Sequence, residues 1–397
     1  MRVLLVSESP TMFGGAQLVC KELGRRLPQQ GHYVATLRPK PQDPAFDFAS
    51  GTEIFTLDRS NRDCSRSSIL IALNAFKPDV VHVVSGRLLL LNRIDVLVRR
   101  TPWLLTVHNP VPQEATIKRF YGHNRIFYIA RDMRYAVNMF GYVAMLRHWR
   151  FARALCFNES VAKRLIAYGC KASSVIVVPL GTPEATEKAA KSLGEVGVFG
   201  KNEYPRIMTV AGIAHTKGLH DALFAIKGLV AQYPKLRYAI IGPVRDSGYA
   251  AHLEQTVQQL KLTRHVSFFS NKNDFLKNAA LKEADLYLQP SHEEGFCLAF
   301  LEAAMNAGRL VGTNEGEMPA IAADDPLIRI VPRMNPGALQ QSILTLLGVP
   351  VSIEILTMRR MRLEKKYSWS TFSARITSLY KDILSNHKGI GETPIEL

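Results

Sequence analysis

The chain has 397 residues, too many for one ordinary core and enough for two domains of ~150 to 200 residues each. Its hydrophobic share of 47% suits a globular fold, and no run of ~18 apolar residues is present to span a bilayer. The formal net charge of +16 attracts polyanions, whether nucleic acid or an anionic membrane surface, and charge alone does not separate the two.

The apolar run Val3 to Val6 predicts a buried first strand. It is too short for a signal peptide and Glu8 interrupts it, so a cytoplasmic chain is expected. Gly14-Gly15-Ala16-Gln17 follows, then a helix to about Leu27. Glycines at a strand-to-helix turn let backbone approach a ligand closely, and a helix N-terminus favours anions there. Tyr33 to Leu37, Asp79 to Val84 and Leu104 to His108 read as further strands, with a weaker one at Val175 to Val178. Strands alternating with amphipathic helices imply a parallel sheet covered on both faces. His108 would stand at the carboxyl end of its strand, where open parallel sheets bind ligands, whereas His82 reads as a structural hydrogen-bonder.

Between Ile117 and Leu155 lie Lys118, Arg119, Arg125, Arg131, Arg134, Arg147, Arg150 and Arg153, interleaved with aromatics and with Asp132 as the only acid. Basic residues and aromatics on amphipathic helices suit an anionic membrane interface; the competing reading is a solvated face over an apolar core. A linker rich in Ala, Lys, Glu and Gly then precedes a second α/β pattern. Its strands are Arg206 to Ala211, Arg237 to Ile241, Val266 to Phe269, Asp285 to Gln289 and Leu310 to Thr313, with a weak Ile328 to Val331. Tyr367-Ser368-Trp369-Ser370 opens a last helix to about Leu384. The five cysteines are scattered without a C-x-x-C pair, which predicts reduced thiols and no structural zinc.

The most informative stretch runs from Pro290-Ser291-His292-Glu293-Glu294-Gly295-Phe296-Cys297 into the helix-forming Leu298 to Ala304. Strand, tight turn and helix start follow one another here, so N–H groups at Gly295, Phe296, Cys297 and Leu298 could hold a diphosphate. Glu294 sits at the turn, and Glu302 is expected about two helical turns on, roughly 12 Å along the axis. One carboxylate could accept hydrogen bonds from a sugar and the other from a ribose. The plain alternative is that Glu302 faces water.

This stretch resembles the E-x7-E signature of the family-4 retaining glycosyltransferases. Its usual form is PS-x-x-E-G-F-G-L, then L-E-A-M-A and G-x-P-V. Cys297 stands where the family has glycine, and Arg309-Leu310 where it has a small residue and proline. Val210-Ala211-Gly212-Ile213-Ala214-His215-Thr216-Lys217-Gly218 similarly resembles V-G-R-L-x-x-x-K-G, with Gly212 in place of the arginine. Thr106-Val107-His108-Asn109 is similar to T-x-H-[DG], and Gly316-Glu317-Met318-Pro319 to G-G-x-P, where Glu317 replacing a glycine would alter access.

The resemblance implies an α/β GT-B fold, two Rossmann-like domains facing a central cleft. An N-terminal acceptor-binding domain would span 1–182, a linker 183–204 and a nucleotide-sugar-binding domain 205–366. A C-terminal crossover helix, 367–385, would pack on the first domain, and 386–397 would be a flexible tail. His108, Glu294 and Lys217 would be catalytic, and Gly14, Gly15, Gly295, Phe296, Cys297, Leu298, Glu302 and Gly316 would bind the donor. No D-x-D pair lies near this site, so metal independence and no cofactor are expected. The implied activity is transfer of a sugar from a UDP-, GDP- or ADP-linked donor to a glycan or lipid-linked acceptor in surface polysaccharide or lipopolysaccharide assembly. Retention by front-face substitution is part of that implication, as is peripheral attachment to the inner face of the cytoplasmic membrane through residues 117–155. A nucleotide-sugar 2-epimerase and a catalytically silent homologue are the alternatives. Nucleic-acid binding has no helix-turn-helix, zinc-finger or RNA-motif signature in its favour.

Overall fold

The computed structural model describes residues 1–7, 15–39, 52–58, 60, 62–85, 101–108, 152–182, 198–270 and 274–388. Gly14 and residues 109–151, which include the basic, aromatic stretch as far as Phe151, lie outside the described residues, as do 183–197 of the linker and the tail beyond Lys388. The chain divides into two compact units, Met1–Gly181 with Trp369–Leu397, and Thr182–Ser368.

The first unit is built on parallel strands β1 (Arg2–Ser7), β2 (Tyr33–Arg38), β3 (Glu53–Thr56), β4 (Val80–Ser85), β5 (Trp103–Val107), β6 (Ala152–Cys156) and β7 (Val175–Val177). Among the described residues they form one sheet in the order β3-β2-β1-β4-β5-β6-β7. β1 and β5 read as near-continuous apolar runs because both of their faces are covered. Helices α1 (Gly15–Gln29), α2 (Arg62–Phe76) and α3 (Glu159–Ala167) belong to this unit; Asn158 caps α3 by accepting from the Val161 N–H.

β3 and β6 have no counterpart in the sequence reading. β6 also corrects it, since residues 152–155 close the basic stretch as a strand, with Ala154 and Leu155 buried, and not as part of a membrane-facing helix. The last helix, α11 (Trp369–Lys388), runs past the expected end at Leu384. Trp369, Phe372, Ile376, Tyr380 and Ile383 recur at helical spacing on its buried side.

His82 on β4 is fully buried, with Nδ1 2.6 Å from the Tyr380 hydroxyl and Nε2 2.7 Å from Thr106 Oγ1, so it is a structural hydrogen-bonder. Burial, and next the neighbouring His108, push its pKa down to about 3. It therefore stays neutral in the fold, while in the unfolded chain it protonates near 6.5. This contribution to stability is complete above about pH 6.5 and falls by about 1.4 kcal/mol per pH unit as the pH drops toward 3. Urea melts at pH 7, 6 and 5 should show a shallower acid loss for His82→Gln than for the wild type; an identical slope would count against this coupling.

The second unit carries β8 (Arg206–Val210), β9 (Arg237–Ile241), β10 (Val266–Phe269), β11 (Leu286–Gln289), β12 (Leu310–Thr313) and β13 (Ile328–Val331). They pair in the order β10-β9-β8-β11-β12-β13, all parallel. Helices α4 (Leu219–Leu229), α5 (Ser247–Gln259), α6 (Asp274–Glu283), α7 (Leu298–Asn306) and α8 (Met318–Ala322) connect them, and α9 (Pro336–Leu347) and α10 (Ile353–Tyr367) follow β13. α4 is apolar almost all round and buried, packing into the core with Tyr238, Tyr249 and Leu339. The strand order reverses between β8 and β11, and the loops leaving their carboxyl ends flank the point where such sheets bind ligands.

Candidate functional site in the second unit

Lys217 leaves β8 through a short 3-10 turn, and Glu294 leaves β11 through the Pro290 loop. Their side chains meet, Nζ to Oε1, at 2.8 Å. Gly218 makes this approach possible. It sits at φ 59°, and a Cβ there would collide with the Pro290 carbonyl and stand 2.7 Å from the His292 ring. Gly316, at φ 61°, closes the other side: a Cβ would come within 2.7 Å of the Phe296 carbonyl and 2.8 Å of Glu294 Cβ. The Glu317 N–H donates to the Phe296 carbonyl at 2.8 Å and fixes that contact.

The Glu294 carboxylate is held by a chain of donors. Tyr287 and Gln289 are two apart on β11 and so share a face, along which the ladder continues to Ser291. The Tyr287 hydroxyl donates to Gln289 Oε1 (2.6 Å), Gln289 Nε2 to Ser291 Oγ (2.8 Å), and Ser291 Oγ to Glu294 Oε1 (2.7 Å). Ser291 and Lys217 thus converge on the same oxygen. Burial opposes the ammonium charge of Lys217, but the Glu294 carboxylate beside it more than offsets this and raises its pKa, so it remains protonated. Cys297 is buried and its thiol is pushed well above its ordinary range, first by burial and then by Glu294. It is not a nucleophile at neutral pH. All five cysteines are free.

Residues 294–297 are not helical, and α7 begins only at Leu298, after Cys297 in the left-handed region at φ 80°. That conformation costs an L-residue roughly 1–2 kcal/mol, which explains a glycine at this place in the related pattern. Glu302 consequently stands one turn into the helix, about 6 Å of axial rise, and not the two turns expected. Nor does it merely face water: Lys277 on α6 donates to its Oε2 at 2.8 Å. Nothing in the sequence around Lys277 marks it as the partner.

Behind the site, His292 Nε2 donates to Asp221 Oδ2 at 2.6 Å, tying the Pro290 loop to the first turn of α4. His220 Nε2 lies 3.6 Å from Asp221 Oδ1, and its Nδ1 is 2.7 Å from the Tyr249 hydroxyl. Burial, partly offset by Asp221, lowers the His220 pKa to about 4. Among the described residues these three are the group able to offer three ligand atoms to one ion, within 4.8 Å of one another. The 2.6 Å contact is closer than the ~3.3 Å that tetrahedral zinc imposes on its ligands, so the group fits a hydrogen-bonded brace better than a metal site. Arg333 adds a second brace, donating from Nη1 to the His292 carbonyl at 2.8 Å and lying 3.3 Å from Glu315.

Glu317 is buried among polar partners. Its carboxylate turns inward, accepting from the Tyr367 hydroxyl at 2.8 Å with Lys366 Nζ at 3.3 Å. Of the expected site residues, Lys217, Glu294, Phe296 and Gly316 are brought together, with Gly295, Cys297 and Leu298 carrying the chain into α7 and Glu302 following on it. Gly15 and His108 belong to the first unit. Gly15 opens α1. His108 follows the last residue of β5, donates from Nε2 to the Val84 carbonyl at 2.5 Å and meets the Phe157 ring edge-on. Burial lowers its pKa to about 4, with the Val84 contact opposing the shift, so its imidazole is neutral near pH 7.

Two family models match the chain in succession: glycosyltransferase family 4 over residues 13–185 and glycosyl transferases group 1 over residues 197–365. The chain belongs to the family 4, group 1 glycosyltransferases. Among curated relatives, D-inositol 3-phosphate glycosyltransferase of Corynebacterium urealyticum is 27% identical over 51% of this chain and 48% of its own length. Phosphatidyl-myo-inositol mannosyltransferase of Mycolicibacterium smegmatis is 22% identical over 77% of this chain and 71% of its own. The chain spans about half the length of the first curated relatives it matches. In fold, this glycosyltransferase family member resembles Anabaena HepE, solved in complex with UDP-glucose, with a TM-score of 0.74 at 16% identity over 96% of this chain and 100% of that one. The fold is GT-B, two Rossmann-like α/β units. Among the described residues no helix is long and apolar enough to cross a membrane.

Proposed function

We propose that the protein is a metal-independent, retaining glycosyltransferase that moves a sugar from a nucleotide sugar to a glycan or lipid-linked acceptor. The observation that carries this reading is the Lys217–Glu294 pair, at the strand ends where the order of the second sheet reverses. Departure of a nucleoside diphosphate leaves negative charge on phosphate and oxocarbenium character on the sugar. Lys217 and the N–H groups at the start of α7 would stabilise the first, and Glu294, oriented by Ser291, would hold the sugar hydroxyls. The acceptor hydroxyl would lose its proton to the departing phosphate, on the face the phosphate leaves. HepE, of like fold, was solved with UDP-glucose, which supports a nucleotide-sugar donor here. The names of the inositol-linked relatives support a lipid-linked or phosphorylated acceptor.

The test is thermal stabilisation by UDP, GDP, ADP and their sugar conjugates, followed by a transfer assay with the conjugate that binds. A ligand at ~100 times its Kd adds about 2.7 kcal/mol, an easily measured shift. Stabilisation by none of them would overturn the reading. Glu302→Ala should weaken donor binding about tenfold, the loss of one hydrogen bond to a charged group, and strand Lys277 without its carboxylate. Titration calorimetry with the nucleoside diphosphate reads this directly, and an unchanged Kd would remove Glu302 from the site.

A further inference from the structure

Two loops of the second unit carry the charged pair of the site: Lys217 lies between β8 and α4, and Glu294 between β11 and α7. The pair itself links the loops, and this is the link that a donor would disturb, because the ammonium then turns to phosphate and the carboxylate to sugar hydroxyls. A second set of contacts joins the same loops and uses neither group. The backbone N–H groups of His292 and Glu293 both donate to the Thr216 carbonyl, at 2.8 and 3.2 Å. The His292 ring lies against Gly218, where a Cβ would stand 2.8 Å from its Nε2, and reaches Asp221 in the first turn of α4 at 2.6 Å. The two side chains are 1% and 8% exposed, so water competes little for this hydrogen bond. Each end is held in turn. Arg333 grips the His292 carbonyl at 2.8 Å, and beside Asp221 both the backbone N–H and Nδ1 of His220 meet the Tyr249 hydroxyl of α5, at 3.2 and 2.7 Å. Asp221 stands four residues after Lys217 and His292 two before Glu294, so a movement between them passes directly to the charged groups.

We propose that Asp221 is a positioning residue for sugar transfer: through His292 it keeps the Lys217 and Glu294 loops in register once the donor has engaged both charged groups. A displacement of about 1 Å between groups that must converge on one breaking bond can cost on the order of a hundredfold in rate. This rests on the nucleotide-sugar reading above. The experiment combines steady-state transfer kinetics, read as release of nucleoside diphosphate from the conjugate selected by the thermal panel, with titration calorimetry of that diphosphate on the full chain. Asp221→Leu combined with His292→Leu removes both polar partners at once, so neither is left buried alone and the melting point should stay within about 5 °C of the wild type. Its kcat should nevertheless fall about tenfold, while the Kd for the diphosphate stays within about threefold. His292→Gln, whose amide Nε2 can still donate to Asp221, should keep kcat within about threefold of the wild type. A double variant that holds kcat within twofold, read well below its melting point, overturns the proposal and leaves the functional reading standing. A rate for His292→Gln as low as that of the double variant does the same, since the hydrogen bond would then not be what positions the loops. If the wild type releases nucleoside diphosphate from no conjugate of the panel, both fall.

Discussion

Lys217→Ala is expected to lower kcat/KM for sugar transfer by about a hundredfold or more, the scale of removing one preorganised donor to a charge that develops in the transition state, ~2.7–4 kcal/mol. Two effects act together. The ammonium that would meet the leaving phosphate is gone, and Glu294, with only 9% of its side chain exposed, is left beside that phosphate without the cation that balances it. Lys217→Arg should recover little, because Nζ reaches one Glu294 oxygen at 2.8 Å in a loop closed by Gly218 against the Pro290 carbonyl and the His292 ring. Glu294→Gln should also lose at least tenfold, and the double variant should fall short of the product of the two losses, since each single change already breaks the shared pair. Steady-state transfer kinetics on the four proteins measure this coupling. Rates within twofold of the wild type for either single variant would remove the pair from the mechanism.

The fold was legible where periodicity is strong and local. Val3 to Val6, Arg237 to Ile241 and Leu310 to Thr313 are apolar strands because parallel sheets are buried on both faces, and each lies where the sequence places it. β3, with Glu53 and Ile54 exposed at a sheet edge, lacks that signal, and β6 was hidden by the arginines before it. Lys217, Glu294 and Gly316 could be read because glycines and turn residues announce close approaches in the chain itself. Lys277 could not. It meets Glu302 through packing between α6 and α7, elements distant in sequence, and a lysine on a helix carries no local mark of its partner.

Asp325→Ala is expected to cost the second unit about 3–5 kcal/mol, the penalty for stranding a buried charge. Arg359 on α10 is 2% exposed and forks onto Asp325, Nε to Oδ2 at 2.6 Å and Nη2 to Oδ1 at 3.0 Å. Its remaining donors go to the carbonyls of Ala307 (2.9 Å), the C-cap of α7, and Gly308 (3.0 Å), the residue after it. A helix C-terminus carries partial negative charge, so the guanidinium serves as its cap and pins the helix that bears Glu302. Without Asp325 the cation stays buried with carbonyl partners alone, and the melting transition should fall by about 10 °C or more. Arg359→Met combined with Asp325→Leu removes both charges and should recover most of that loss, because the attraction within a buried pair largely offsets its own desolvation. Donor affinity then separates two roles for the arginine. If it only balances Asp325, the apolar pair should bind the donor as the wild type does. If it also orients α7, the apolar pair should regain its melting point and still bind the donor several-fold more weakly, and this second outcome is the one that the two carbonyl contacts lead us to expect.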